Sequence, residues 1–290
     1  MAPENFSIIN IKDEFDKHPL PEIDKIRNNN NDFIVDLVSA SNLVLKFLGI
    51  AAAVIPDKSL TKLQQGILLS HMVRLFKLYD CFLLLICEHR FEIAILTARP
   101  IAETAIVLKY LTEKIDNSLC DSFLKASLSY DKKLFDLIQK NIKGRDPLAI
   151  EERMLKSITN TFGKTKFKLE DIEFQRDKKW HENLFVLAKQ VGLEKYYETI
   201  YRVGSSAEHG SWHYLELYHL QEKTEHYEPQ LEYCSPSPQL LEATNFICLN
   251  ATENYIKNIS PDKTFLELIK RVLKWHQDIG NKHEEFLQNN

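Results

Sequence analysis

Phe91-Glu-Ile-Ala-Ile-Leu-Thr-Ala-Arg99-Pro100-Ile-Ala-Glu103-Thr-Ala-Ile-Val-Leu-Lys-Tyr110-Leu111 is the stretch whose reading decides the fold. Its apolar residues recur at helical spacing over a length that no ordinary strand reaches. The pattern predicts a helix from Arg90 to Lys114; the helix before it is apolar nearly all round over its second half, Leu75 to Cys87, as a central element should be. Pro100 lies inside the Arg90–Lys114 helix and is expected to kink it or to begin a new segment there. Arg99 and Glu103 stand four apart on one face of this otherwise apolar helix. Charges in such surroundings need partners. The pair therefore reads as an ion pair tying the helix to a neighbour, or as the floor of a pocket shared with another polar element.

The same periodicity continues on both sides. Ile34, Leu37, Val38, Leu43, Val44, Phe47, Leu48 and Ala51 mark a helix from Phe33 to about Ile55, with a capping cluster at Asn28 to Asp32. Leu60 to Glu88 follows, capped by Ser59, and residues 116 to 142 form an amphipathic helix. The stretch 144–171, punctuated by Gly144, Pro147 and Gly163, reads as a loop with a short helix near Ile150 to Ile158. Further helices are expected over 171–190, 194–220, 239–258 and 261–286. No convincing period-2 strand appears.

Composition agrees with this class. Only 8 of 290 residues are glycine, and the mixture of 44% hydrophobic with 27% charged residues fits a globular chain able to bury a core. The net charge of −4 and a pI near 6.2 exclude attraction of nucleic acid by the whole-protein field, so such binding would need a local patch. The five cysteines (Cys81, Cys87, Cys120, Cys234 and Cys248) contain no Cys-x-x-Cys pair and read as buried free thiols. No secretory pattern opens the chain. The run Leu43 to Pro56 is interrupted by Lys46 and too short for a bilayer. A cytoplasmic protein without a membrane partner is expected.

Chemistry concentrates in Tyr201-Arg-Val-Gly-Ser-Ser-Ala-Glu-His-Gly-Ser-Trp-His-Tyr214. Arg202 and His209 are seven apart, about two helical turns, and so project from nearly the same side. Ser205 or Ser206, Trp212 or His213, and Glu216 continue that stripe, while Val203, Ala207, Gly210, Tyr214 and Leu217 form a candidate packing face. Arginine holds phosphate through a charged fork, and histidine exchanges protons near neutral pH. The two together suit metal-free RNA cleavage, in which a 2′-hydroxyl attacks the adjacent phosphate. An incidental surface Arg and His is the plainer reading of the spacing. A metal reading uses His209 and His213, four apart, with Glu103 as a third ligand. A basic alternation, Lys164, Lys166 and Lys168 with Phe162 and Phe167, reads as a solvated loop or as a backbone-binding strip.

Two segments together resemble an uncharacterised bacterial all-helical family known only as a domain of unknown function. One carries Arg99-x-x-x-Glu103, the other Ser205-x-x-x-His209, and the likeness spans about residues 60 to 220. The Arg202-to-His209 segment is also similar to the HEPN superfamily, whose signature is an Arg, four to six residues, then a His. That resemblance implies a dimeric helical bundle acting as a metal-independent RNase in toxin or defence systems.

The expectation is an all-α helical bundle, with a HEPN-like core and added terminal helices. Residues 1–29 form an irregular lead-in, and 30–290 form one helical domain with a candidate mobile insertion at 144–171. The expected activity is a metal-independent, cofactor-free endoribonuclease, a toxin or phage-defence effector. In it Arg202 binds phosphate and His209 moves the proton. Ser205, Glu208 and His213 support His209, and Arg99–Glu103 braces the site. RNA is the expected substrate, with a homodimer and an antitoxin or defence partner. The alternative is a non-catalytic scaffold that recognises a nucleotide or protein through the 202–216 helix face. A metal-dependent hydrolase is the third reading.

Overall fold

The computed structural model describes residues 8–17, 20, 22–26, 29–56, 59–174, 180–181 and 183–289. Helices α1 (Ile8–Lys17), α2 (Asn30–Ala53), α3 (Lys62–Cys87), α4 (Phe91–Lys114), α5 (Asn117–Asn141) and α6 (Ala149–Phe162) make the first half. Their starts follow from caps. Asn29 accepts from the Asp32 amide at 2.9 Å, and Asp116 from that of Leu119 at 2.7 Å. The start of α3 belongs to Thr61 rather than Ser59. Thr61 and Gln64 form a reciprocal capping box that satisfies two amides at once.

Four long helices enclose the main core: α2, α3, α4 and, from the second half, Pro238–Ile259. Each packs on its neighbours in a closed ring, α2 on α3, α3 on α4, α4 on Pro238–Ile259 and that helix back on α2. Phe33, Leu48, Leu68, Met72, Leu75, Ile95 and Ile101 are among the fully buried side chains there. A polar knot lies inside the ring. Tyr79 Oη donates to Asn245 Oδ1, the Asn245 amide donates to Ser41 Oγ at 2.9 Å, and Ser41 Oγ donates to the Leu37 carbonyl at 2.7 Å. It ties three helices to one register, since a buried donor left unpaired costs about 1–3 kcal/mol. α2 is long and apolar enough to cross a membrane by length and composition, and its buried residues lie in this core.

α4 runs unbroken through Pro100, so no new segment begins there. The 144–171 stretch is more regular than its glycines suggest. α6 spans fourteen residues and packs on α5, where Leu128, Ile158, Phe162 and Ile172 form a second small core. The basic alternation is absorbed locally: Phe162 is buried and Lys166 pairs with Asp121 at 2.6 Å.

The second half departs most from expectation. In place of a helix over 171–190 there is α7 (Leu184–Gln190), capped by Asn183; residues 175–179 and 182 lie outside the described set. The helix expected over 194–220 breaks once, after Glu208, and its unbroken first part changes winding, giving four segments. They are α8 (Glu194–Tyr196), a π-helical turn (Tyr197–Tyr201), α9 (Arg202–Glu208) and α10 (Trp212–His219). A short antiparallel hairpin, β1 (Leu220–Glu222) with β2 (Tyr227–Pro229), follows. α11 (Pro238–Ile259) and α12 (Lys263–Asn289) close the described chain, α12 packing on α11 and α2. Cys120 and Cys248 are buried as expected, whereas Cys81 and Cys87 are exposed.

Candidate functional site

The site is built where α9 crosses α4. The face packed on α4 is Ile200 of the π turn with Gly204 and Ala207 of α9, all buried; Val203 and Leu217, expected on the packing face, are exposed. Gly204 stands at the crossing. A Cβ placed on it would meet the Arg99 backbone nitrogen at 2.6 Å and the Arg99 Cβ at 2.7 Å. Only glycine lets the two backbones approach this closely. Tyr201 and Glu208 lie three and four residues to either side of Gly204, hence on the same helical face. They flank Arg99.

Arg99 collects the site. Its Nη1 donates to Glu208 Oε2, and the same nitrogen lies 3.3 Å from His209 Nε2. Its guanidinium carbon sits 5.1 Å from the centre of the Tyr201 ring, within cation–π range. Burial alone would lower the Arg99 pKa, yet Tyr201, Glu208 and Glu103 together hold it above its ordinary value. A guanidinium has no lone pair, so a hydrogen bond to Nε2 requires that nitrogen to be unprotonated. Tyr201 is itself fixed from behind by Tyr197, stacked at 4.7 Å with ring planes 14° apart. The two tyrosines are four apart along the helical run and so share one face.

The brace expected from Arg99 and Glu103 is therefore made by Arg99 and Glu208. Glu103 is exposed, although its charge still contributes to the field at Arg99. Arg202 is 65% exposed and paired with Glu198, one turn back, at 2.7 Å. The arginine that touches His209 is Arg99 of another helix. The Ser205 carbonyl accepts the His209 amide at 3.1 Å, which closes the last turn of α9.

His209 ends α9, and Gly210 turns the chain with a φ of +57°. Ser211 then caps α10 through the Tyr214 amide at 3.4 Å, and its hydroxyl also bonds that of Ser206. The break removes the i,i+4 helical relation that would aim His209 and His213 at one ion. Among the described residues, no three His, Cys, Asp or Glu side chains converge as a metal site. The signal for the break was present in the sequence as Gly210-Ser211, a helix-stop residue followed by a cap.

α10 is anchored by Tyr214, whose hydroxyl donates to the Glu92 carbonyl of α4 at 2.9 Å. Burial, with Glu92 nearby, pushes the Tyr214 phenol up to about 12. A cavity of about 270 Å³ borders the α4–α9 crossing through Ile95, Ile200 and Val203; among the described residues, neither it nor the cavities of about 570 and 490 Å³ are lined by Arg99, Arg202 or His209. Glu208 and His209 are exposed, and the Arg99 side chain between them and α4 is 23% exposed.

The fold is that of an all-α helical protein, with an Arg99–Glu208–His209 cluster where two helices cross. The family described as "Family of unknown function (DUF5677)" matches residues 65–227, more than half of the chain, and the chain belongs to that family. The matched span contains α4, α9 and α10, and it fits the helical family of unknown function expected from the Arg99 and His209 segments. No curated protein and no solved structure matches the chain.

Proposed function

We propose that the α4–α9 surface is a metal-independent RNA-cleaving site in which His209 moves the proton and Arg99 meets the phosphate charge. The observation that carries this reading is the 3.3 Å approach of Arg99 Nη1 to His209 Nε2, with His209 exposed. A small metabolite needs a concave pocket that buries 70–90% or more of it. A polymer can lie across an exposed cluster.

The chemistry follows from the groups. Substrate phosphate draws the Arg99 guanidinium toward itself and frees the Nε2 lone pair. His209 then takes the proton of the ribose 2′-hydroxyl, whose oxygen attacks the adjacent phosphorus. The bond from phosphorus to the 5′-oxygen breaks, and the proton held by His209 passes to that leaving oxygen. The products are a 2′,3′-cyclic phosphate and a 5′-hydroxyl. Arg99 stays charged throughout and stabilises the charge gathered on the non-bridging oxygens. Tyr201 and Glu208 position Arg99. Arg202, one face round, serves as a second phosphate contact once it leaves Glu198.

This proposal keeps the expected HEPN-like core, a homodimer, a toxin or defence role with an antitoxin or defence partner, and a cytoplasmic setting. The second reading is non-catalytic recognition of a nucleotide or partner through the 202–216 surface. What favours it is that both arginines already hold carboxylates, Arg99 with Glu208 and Arg202 with Glu198. Labelled RNA incubated with purified protein and chelator separates the two. Cyclic-phosphate ends lost on His209→Ala support the nuclease. Intact RNA across varied substrates leaves the recognition surface.

A further inference from the structure

Trp212 opens α10, three residues after His209, and is 63% exposed. Tryptophan is rarely left so open, because its ring carries a large apolar area. It is nonetheless held. Its ring centre lies 5.9 Å from that of Tyr227, with the planes at 86°, so the two pack edge to face. Tyr227 is fixed in turn by the hairpin, where it pairs with Glu222. The Ser206–Ser211 hydroxyl bond and the Tyr214 anchor fix the helix that carries Trp212. The result is an oriented, accessible aromatic plane that contributes little to the core.

Its distance from the site is bounded by the chain. Three residue steps separate Trp212 from His209, so their Cα atoms are at most about 11 Å apart. That is within reach of the nucleotide next to one whose phosphate meets Arg99. The other aromatic rings at the site are already used. Tyr201 has Arg99 on one side and stacks on Tyr197.

We infer that Trp212, steadied by Tyr227, is a stacking platform for an unpaired base flanking the phosphate held at Arg99 and His209, which makes the ligand single-stranded RNA. This rests on the RNA reading of the site. A base inside a duplex is stacked on both faces and cannot lie on Trp212, whereas an unpaired base can. The cations at Arg99 and Arg202 meet the backbone, and the indole adds a contact tolerant of sequence.

The test uses full-length protein and a short, labelled, mixed-sequence strand with 2′-O-methyl riboses, which the protein cannot cleave. Binding is read by fluorescence anisotropy against the same strand annealed to its complement. The single strand binds more tightly than the duplex. Trp212→Ala weakens single-strand binding by roughly five- to a hundredfold, the range for losing one base stack, and Trp212→Phe retains much of it. Failure of the wild type to bind the single strand overturns the platform, as does equal binding by Trp212→Ala or by duplex. So does a change in sedimentation on Trp212→Ala with RNA affinity unchanged, which assigns the ring to a protein interface. Cleavage of unmodified RNA is scored separately. Wild type that binds but never cuts keeps the platform and removes the nuclease, while cutting with a KM unaltered by Trp212→Ala keeps the nuclease and removes the platform.

Discussion

Gly204 lies directly against Arg99: a Cβ at residue 204 would stand 2.6 Å from the Arg99 backbone nitrogen, closer than real Cβ atoms approach. Neither backbone can yield without lifting α9 off α4. Gly204→Ala is therefore expected to destabilise the protein by about 1–3 kcal/mol, the usual range for overpacking, and to separate Arg99 from His209. Denaturant unfolding measures the first effect and RNA cleavage or binding the second. A stable variant with full activity would show that the crossing is not what holds the site.

The partner of Arg99 is Glu208, and Glu103 is exposed. Glu103→Ala is accordingly expected to move stability by no more than about 0.5 kcal/mol, as surface changes do. Glu208→Ala leaves Arg99 without its carboxylate and should lower activity more than it lowers stability. Thermal melts and activity of the two variants, compared side by side, check this.

In the cleavage reading, Arg99→Ala and His209→Ala each reduce RNA cleavage by at least about a hundredfold, the scale of losing one charge-stabilising or acid–base group. Arg202→Ala, removing an exposed second contact, costs less. Arg99→Lys rescues only in part, because a point charge lacks the fork. Single-turnover rates on one labelled RNA rank the four variants. A larger loss at Arg202 than at Arg99 would return the phosphate-binding role to Arg202.

His276 on α12 is fully buried beside Phe246 and Trp275, and among the described residues neither ring nitrogen has a hydrogen-bond partner. Burial drives its pKa down to about 3. The unfolded chain binds a proton near 6.5 and the folded one does not. Stability from this residue is present above about pH 6.5 and is lost as pH falls toward 3. His276→Leu should flatten that part of the stability–pH curve and, by removing two unpaired polar atoms, raise stability near neutrality. Urea midpoints across the range provide the measurement.

Glu242 gives the opposite slope. It lies against Gly280, where the absent side chain leaves room for its carboxyl group. Burial, then the charge of Glu284, pushes its pKa up to about 7. The folded state holds this proton more tightly than the unfolded one, so stability falls as pH rises from about 4.5 through 7. Glu242→Gln is expected to gain stability at about pH 8 and to gain none at about pH 4. Midpoints that shift equally at both values would remove Glu242 as the source.

Much of this architecture could be read without coordinates. The long helices α2, α3, α4, α5, α11 and α12 start and stop within a few residues of where apolar spacing and caps put them, because helical periodicity and capping are local. The exceptions are local too. Thr61 outcompetes Ser59 because only Thr61 has a Gln three residues on to complete a box. The break at Gly210-Ser211 was written in the residues, but the apolar stripe running through it hid the stop.

The sequence by itself determined an all-α chain, its main helices and the two polar segments that matter, since each depends on neighbours a few residues apart. Only the tertiary structure decided which arginine meets His209. Arg99 and His209 are 110 residues apart, and no periodicity links them. Their contact exists because Gly204 lets α9 sit on the α4 backbone, and because Glu208 and Tyr201 then face Arg99. That is a consequence of packing between helices, and packing of this kind has no signature within either helix alone.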